Sequence, residues 1–167
     1  MTTGNRWRPA YVALGSNLDD PDARIVEAFG HLCRLPGCRL IAQSRCWRST
    51  PLGPVEQPPF VNAVAGLLTV LSPADLLGSL QDIEATMGRA RPVVRWGPRR
   101  IDLDLLLLGS EQLVGPDLTL PHPGLPVRDF VLYPLAEIAP ELWVPGLGRV
   151  RHLAAGVDNR GLVALGG

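Results

Sequence analysis

Lysine is missing from this chain of 167 residues, and all 16 cationic side chains are arginine. That excludes a phosphate-loop lysine, a Schiff-base lysine and a lysine general base. Acidic side chains equal the cationic ones in number, so the formal net charge is zero. The overall field that a general nucleic-acid or membrane-surface binder relies on is therefore lacking, and any basic function must be local. No apolar run, Leu105 to Leu108 included, approaches the length needed to cross a bilayer, and the start MTTGNRWRP has no signal-like apolar core. These features predict a cytoplasmic protein with no membrane partner. Cys33, Cys38 and Cys46 are odd in number and lack the paired spacing of zinc or disulfide frameworks, so they read as buried or free thiols. Aromatic residues make up only 5% of the chain, which singles out each one for scrutiny.

What is present suits one compact domain: 46% hydrophobic and 19% charged residues over a length that can bury a substantial core. The expectation is a single domain over residues 1–167, with a core at about 10–144 and a glycine-rich tail at about 145–167. Ala10 to Gly15 reads as a buried strand, and Asp19 or Asp20 before Pro21 as the cap of a helix with Ile25, Val26, Phe29, Leu32 and Cys33 inward. Arg39 to Ser49 alternates as a strand. Thr50 to Pro59, with four prolines in ten residues, is a stiff loop. Phe60 to Val70 resumes as a strand that puts Phe60 and Asn62 on one face. Ser72, Pro73 and Asp75 open a helix with Leu76, Leu77, Leu80, Ile83 and Met87 buried, Gln81 and Glu84 on a shared polar ridge, and Gly88 as its stop. A loop-like arginine segment leads into the strand Ile101 to Leu108. The order strand, helix, strand, strand, helix, strand is that of a ferredoxin-like split βαβ sheet, an α+β fold. Beyond it, EQLV suggests a small strand, PHPGLP a turn-rich connector, and Arg128 to Ile138 a helix despite Pro134.

Asp102 and Asp104 share one face of their strand because strand side chains alternate with period two. Carboxylates ~7 Å apart along a strand can ligate one magnesium ion or bracket two, and they can equally be a solvated strand end paired with arginine. Just upstream, Arg89, Arg91, Arg95, Arg99 and Arg100 surround Trp96. Guanidinium groups match phosphate oxygens bidentately, so the run reads as a polyphosphate clamp, with a nucleic-acid groove and a solvated basic loop as competing readings. Magnesium on one side and arginine on the other is a recurrent arrangement for phosphoryl transfer. Gly15-Ser16-Asn17 is a turn and no phosphate loop, while Asp20 and Asp22 read as helix caps. His122, between two prolines, can bond a phosphate or a backbone carbonyl; His31 and His152 read as surface residues.

The run RWGPRRIDLDLLLLG, Arg95 to Gly109, closely resembles the motif of hydroxymethyldihydropterin pyrophosphokinases. YVALGSNL, STPLGPVEQPPFVNAV, IEATMGRAR and LPHPGLPVRDFVLYPLAEIAPEL agree with that family in order, so the resemblance spans Tyr11 to about Val144. It implies a three-layer αβα domain with helices on both faces of the sheet. It further implies two Mg2+ ions on Asp102 and Asp104, and ATP as co-substrate beside Gln81, Glu84, Arg89, Arg91, Trp96, Arg99, Leu105, Thr119, His122 and Arg128. The reduced pterin alcohol is expected between Phe60 and Phe130, with Trp96 near it and with Asn62 and the backbone near Thr50 and Leu52 bonding its edge. Arg89, Arg91 and Arg99 join the aspartates as the implied catalytic groups. The pterin hydroxyl would attack the β-phosphorus of ATP and AMP would leave, the chain acting as a monomer without nucleic acid. Phe60 stands where tyrosine is common in the family, Thr50 where proline is, and Pro123 where tyrosine can follow the histidine.

Two other readings are weaker. Nucleotidyltransferases of the polymerase-beta kind place their Gly-Ser turn about a dozen residues from the carboxylates, whereas Ser16 and Asp102 are more than eighty apart. A ferredoxin-like RNA-binding module would bring an aromatic strand motif and a basic net charge, and neither is present.

Overall fold

The computed structural model describes residues 6–49, 58–88 and 100–165. Most of Thr50 to Pro59 and of the arginine segment, including Thr50, Leu52, Arg89, Arg91, Arg95, Trp96 and Arg99, therefore lies outside the described residues. The chain runs β1 (Arg8–Ser16), α1 (Pro21–Cys33), β2 (Cys38–Gln43), β3 (Cys46–Ser49), β4 (Phe60–Thr69), α2 (Pro73–Thr86) and β5 (Asp102–Leu108). Short β6 (Leu113–Val114) and β7 (Thr119–Leu120) follow, then a 3-10 turn Leu125–Val127, α3 (Asp129–Ile138), β8 (Trp143–Val144), β9 (Gly148–Arg149), α4 (Val150–Ala155) and β10 (Val163–Leu165).

The main sheet is antiparallel, with β4 and β1 at its centre, β5 outside β1, and both β2 and β3 along the other side of β4. This is the expected ferredoxin-like βαββαβ arrangement. The strand expected over Arg39 to Ser49 is interrupted at Ser44, where the side-chain oxygen accepts the Val64 N–H at 2.9 Å in place of a backbone carbonyl. The tail adds β10 to the free side of β3.

Alternation along the strands splits the apolar residues into two cores. Ala10, Val12, Leu14, Ala63, Ala65, Leu67, Leu103 and Leu105 pack on α1 and α2. Val64 and Leu106 pack with α3 and α4 on the opposite face, against Tyr11 and Ala13. The result is the three-layer αβα expected. A bulge between Tyr11 and Val12 explains how Leu105 to Leu108 are all buried: it shifts the pairing so that Leu107 stays with Leu106 on the α3 side.

The helices correct several details. Ile25, Ala28, Phe29 and Leu32 are the inward face of α1, while Val26 and Cys33 are exposed. Asp20 occupies the N-cap position in left-handed backbone but makes no side-chain cap bond. In α2, the Ser72 side chain accepts the Asp75 N–H as expected, and Gly88 at φ 83° follows the last turn. Gln81 and Glu84 do not form one polar ridge: Gln81 is exposed and Glu84 is turned into the core. Among the described residues no helix is long and apolar enough to cross a membrane.

Candidate active site

Pairing register carries Asp102 to Gly15, Gly15 to Asn62 and Asn62 to Trp47, so these residues form one row across four strands. Leu103 and Leu105 belong to the core under α1 and α2, so period-two alternation sends Asp102 and Asp104 to the α3 face. Ala13, opposite Asp104, packs in the core of that same face. Gly15 contributes no side chain between the aspartate and the asparagine. A Cβ there would lie 3.4 Å from Asn62 Oδ1 and 3.9 Å from Phe60 Cδ1, so glycine keeps open the space that these groups border.

Asn62 is buried and its orientation is set by its donors. Nδ2 donates to Ser49 Oγ at 2.6 Å and to the Trp47 carbonyl at 3.4 Å, which turns Oδ1 toward Gly15. An acceptor facing the opening suits a ligand edge rich in N–H groups. Trp47 is held in turn by Glu137 of α3, which accepts from its indole Nε1 and from Arg45 N, both at 2.9 Å.

The connector after β7 closes over the free edge of β5. The Leu120–Pro121 peptide is cis, and His122 N donates to Leu106 O at 2.8 Å. His122 Nδ1 accepts the Gly124 N–H at 2.9 Å, which leaves Nε2 to carry the proton of the neutral ring. Burial lowers the pKa of His122 from its ordinary value, Arg128 lowers it further, and Asp102 opposes them, so the histidine, the arginine and the aspartate lie within each other's fields. The Arg128 guanidinium crosses Gly124, where a Cβ would come within 2.5 Å of Cζ, and lies 5.8 Å from the Phe130 ring centre. Phe130, on the first turn of α3, packs against the core of that face.

Asp102, Asn62, Phe60, His122, Arg128 and Phe130 are thus drawn to one side of the sheet. Thr119 lies on β7, next to the connector. Leu105 has its side chain in the opposite core and can meet a ligand only through its backbone. Gln81 is on the α2 surface. Glu84 is 3% exposed and accepts the Leu103 N–H. Arg100, read from sequence as one of the five guanidinium groups of a polyphosphate clamp, instead pairs with Asp19 at 2.7 Å and donates to Met87 O at 3.5 Å, fastening one end of the arginine segment to the other. Sequence reasoning also passed over the Gly15-Ser16-Asn17 turn as ordinary. Ser16 Oγ donates to Arg100 O and Asn17 Nδ2 donates to Pro58 O at 3.0 Å, so one buried turn anchors the chain where both loops rejoin the fold.

Comparison with known proteins identifies the family. The family model for 7,8-dihydro-6-hydroxymethylpterin-pyrophosphokinase matches residues 11–140. A 2-amino-4-hydroxy-6-hydroxymethyldihydropteridine pyrophosphokinase of Pseudomonas aeruginosa is 49% identical over 157 residues, 94% of this chain and 96% of that protein. One from Haemophilus influenzae is 46% identical over 156 residues, 93% of this chain and 97% of that protein. The fold matches wild-type Plasmodium falciparum HPPK-DHPS solved with pteroate at a TM-score of 0.73 and 15% identity, covering 93% of this chain but only 43% of that longer one. On its residues, its fold and these relatives, the chain belongs to the 7,8-dihydro-6-hydroxymethylpterin-pyrophosphokinase family, the pyrophosphokinases of folate biosynthesis.

Proposed function

We propose that this chain transfers the terminal diphosphate of ATP to the hydroxymethyl group of 6-hydroxymethyl-7,8-dihydropterin, with the phosphates held over Asp102 and Asp104 and the pterin between Phe60 and Phe130. The observation that carries the reading is the row in which Asp102 and Asn62 flank side-chainless Gly15. It sets the Asp102 carboxylate, which we read as a metal ligand, beside an acceptor suited to a pterin edge. The alcohol oxygen forms a bond to the β-phosphorus as the oxygen bridging to the α-phosphorus departs with AMP, and the hydroxyl proton passes to solvent. Such chemistry needs positioning and charge neutralisation more than a covalent nucleophile, so the lack of lysine is no obstacle.

The aspartates suit magnesium. They offer hard oxygen donors, and among the described residues no group of three or more His, Cys, Asp or Glu side chains gathers to form an all-protein cage. Magnesium typically takes one or two carboxylates and completes its shell with phosphate oxygens and water. Two ions held there would neutralise phosphate charge and polarise the β-phosphorus. His122, neutral with Nε2–H free to donate, and Arg128 would bind phosphate oxygens, and Thr119, Gln81 and the Leu105 backbone would border the nucleotide. Arg89, Arg91 and Arg99 would complete the clamp, with Trp96, Thr50 and Leu52 beside the ligands.

Incubating the protein with ATP, magnesium and the reduced pterin alcohol tests the assignment. Equal amounts of AMP and pterin diphosphate are expected, and ADP as the main nucleotide product would refute it.

A further inference from the structure

Leu103 lies between the two aspartates on β5, the outer strand of the sheet beyond β1. An edge strand presents backbone groups that its only neighbour cannot satisfy, and here two of them have specific partners. The Leu103 N–H donates to Glu84 Oε2 at 2.7 Å, and the Leu106 carbonyl accepts the His122 N–H at 2.8 Å. Glu84 reaches β5 from α2, from within a stripe of Leu80, Ile83 and Met87. At 3% exposure this carboxylate is costly to bury, and an apolar residue would fill the same position more cheaply. What an apolar residue cannot do is accept the hydrogen bond offered by the peptide joining Asp102 to Leu103.

We infer that Glu84 is a positioning residue for the transfer reaction. It fixes the plane of the Asp102–Leu103 peptide, and through the strand pleat it fixes the directions in which both flanking carboxylates leave the backbone. The hydrogen bond lies on the α2 side of β5 and the aspartates on the α3 side, so Glu84 acts through the strand and touches no reacting atom. The inference rests on the proposed reading of the aspartates, and it replaces direct nucleotide contact as the expectation for Glu84.

Glutamine at this position retains an oxygen that can accept the Leu103 N–H, whereas alanine does not. Glu84→Gln is therefore expected to keep kcat and the magnesium concentration for half-maximal rate near those of the parent. Glu84→Ala should speed hydrogen exchange at the Leu103 amide, raise the half-saturating magnesium concentration and lower kcat by roughly tenfold to a hundredfold. ATP affinity measured without magnesium should stay unchanged in both variants. Loss in Glu84→Gln equal to that in Glu84→Ala would overturn the inference, as would normal magnesium dependence in an alanine variant whose Leu103 amide exchanges fast. Weakened metal-free ATP binding would restore the contact role. Should the alanine variant not fold, the glutamine variant and its Leu103 exchange decide the matter. Active Asp102→Asn and Asp104→Asn enzymes would sink the parent reading instead, whatever Glu84 does.

Discussion

Asparagine at position 102 or 104 preserves shape and some hydrogen bonding but removes the charge a divalent ion requires. Both exchanges should leave thermal stability nearly intact and lower kcat by roughly a hundredfold to ten-thousandfold across a magnesium titration. A changed melting temperature with near-normal turnover would mark the pair as a packing feature. Phe130→Ala should weaken the pterin, which loses stacking of ~0.5 to 1.5 kcal/mol per aromatic pair together with apolar burial, and spare ATP. Equal losses for both ligands in binding measurements would place Phe130 in the core alone. His122 gives a pH signature. Its pKa is lowered in the folded state from the ordinary 6.5, so the unfolded chain binds more protons as the pH falls through that value. Its contribution to stability is complete above 6.5, is lost progressively below, and stops changing once the folded pKa is passed. Melting curves for the parent and His122→Gln should converge or cross in that acidic window, and parallel curves would contradict the assignment. At this scale the aspartate pair is legible in sequence because a strand has period two. Gly15 is not, because a missing side chain leaves no pattern until register sets it between Asp102 and Asn62.

Elements differ in how much of themselves they declare. The cap and stop of α2 are readable because Ser72 and Gly88 act locally. The interruption between β2 and β3 depends on Ser44 meeting Val64, twenty residues away, and β6 to β9 are two-residue strands that exist only through their partners. Burial of Glu84 defeats a surface-ridge reading for a similar reason, since its partner is the backbone of β5. Glu137 joins α3, which carries Phe130, to β3, which holds Asn62 through Ser49 and Trp47. Glu137→Ala removes the acceptor for Arg45 N and Trp47 Nε1 and should cost about 1–2 kcal/mol of stability, reduced from the buried value by solvent. It should also raise the pterin KM more than the ATP KM. A variant with unchanged melting and unchanged pterin KM would mean that α3 keeps its place without this bond.

For the molecule as a whole, the fold was the most legible part, because two apolar cores on opposite sides of one sheet follow directly from strand alternation and helix stripes. The tail was the least legible, since β10 gains its identity only by pairing with β3 and Arg160 N only by meeting Asp129 Oδ2 at 2.8 Å. The proposed activity belongs to this scale too, because the carboxylates, the acceptor and the aromatic residues assigned to it come from strands and a helix far apart in sequence. Its most direct test is the fate of each phosphorus in a single turnover, with enzyme in excess over ATP labelled in turn at the α, β and γ positions and the pterin alcohol present with magnesium. The β and γ labels should appear together on the pterin and the α label should remain in AMP, whereas a γ label transferred alone, leaving ADP, would contradict pyrophosphoryl transfer.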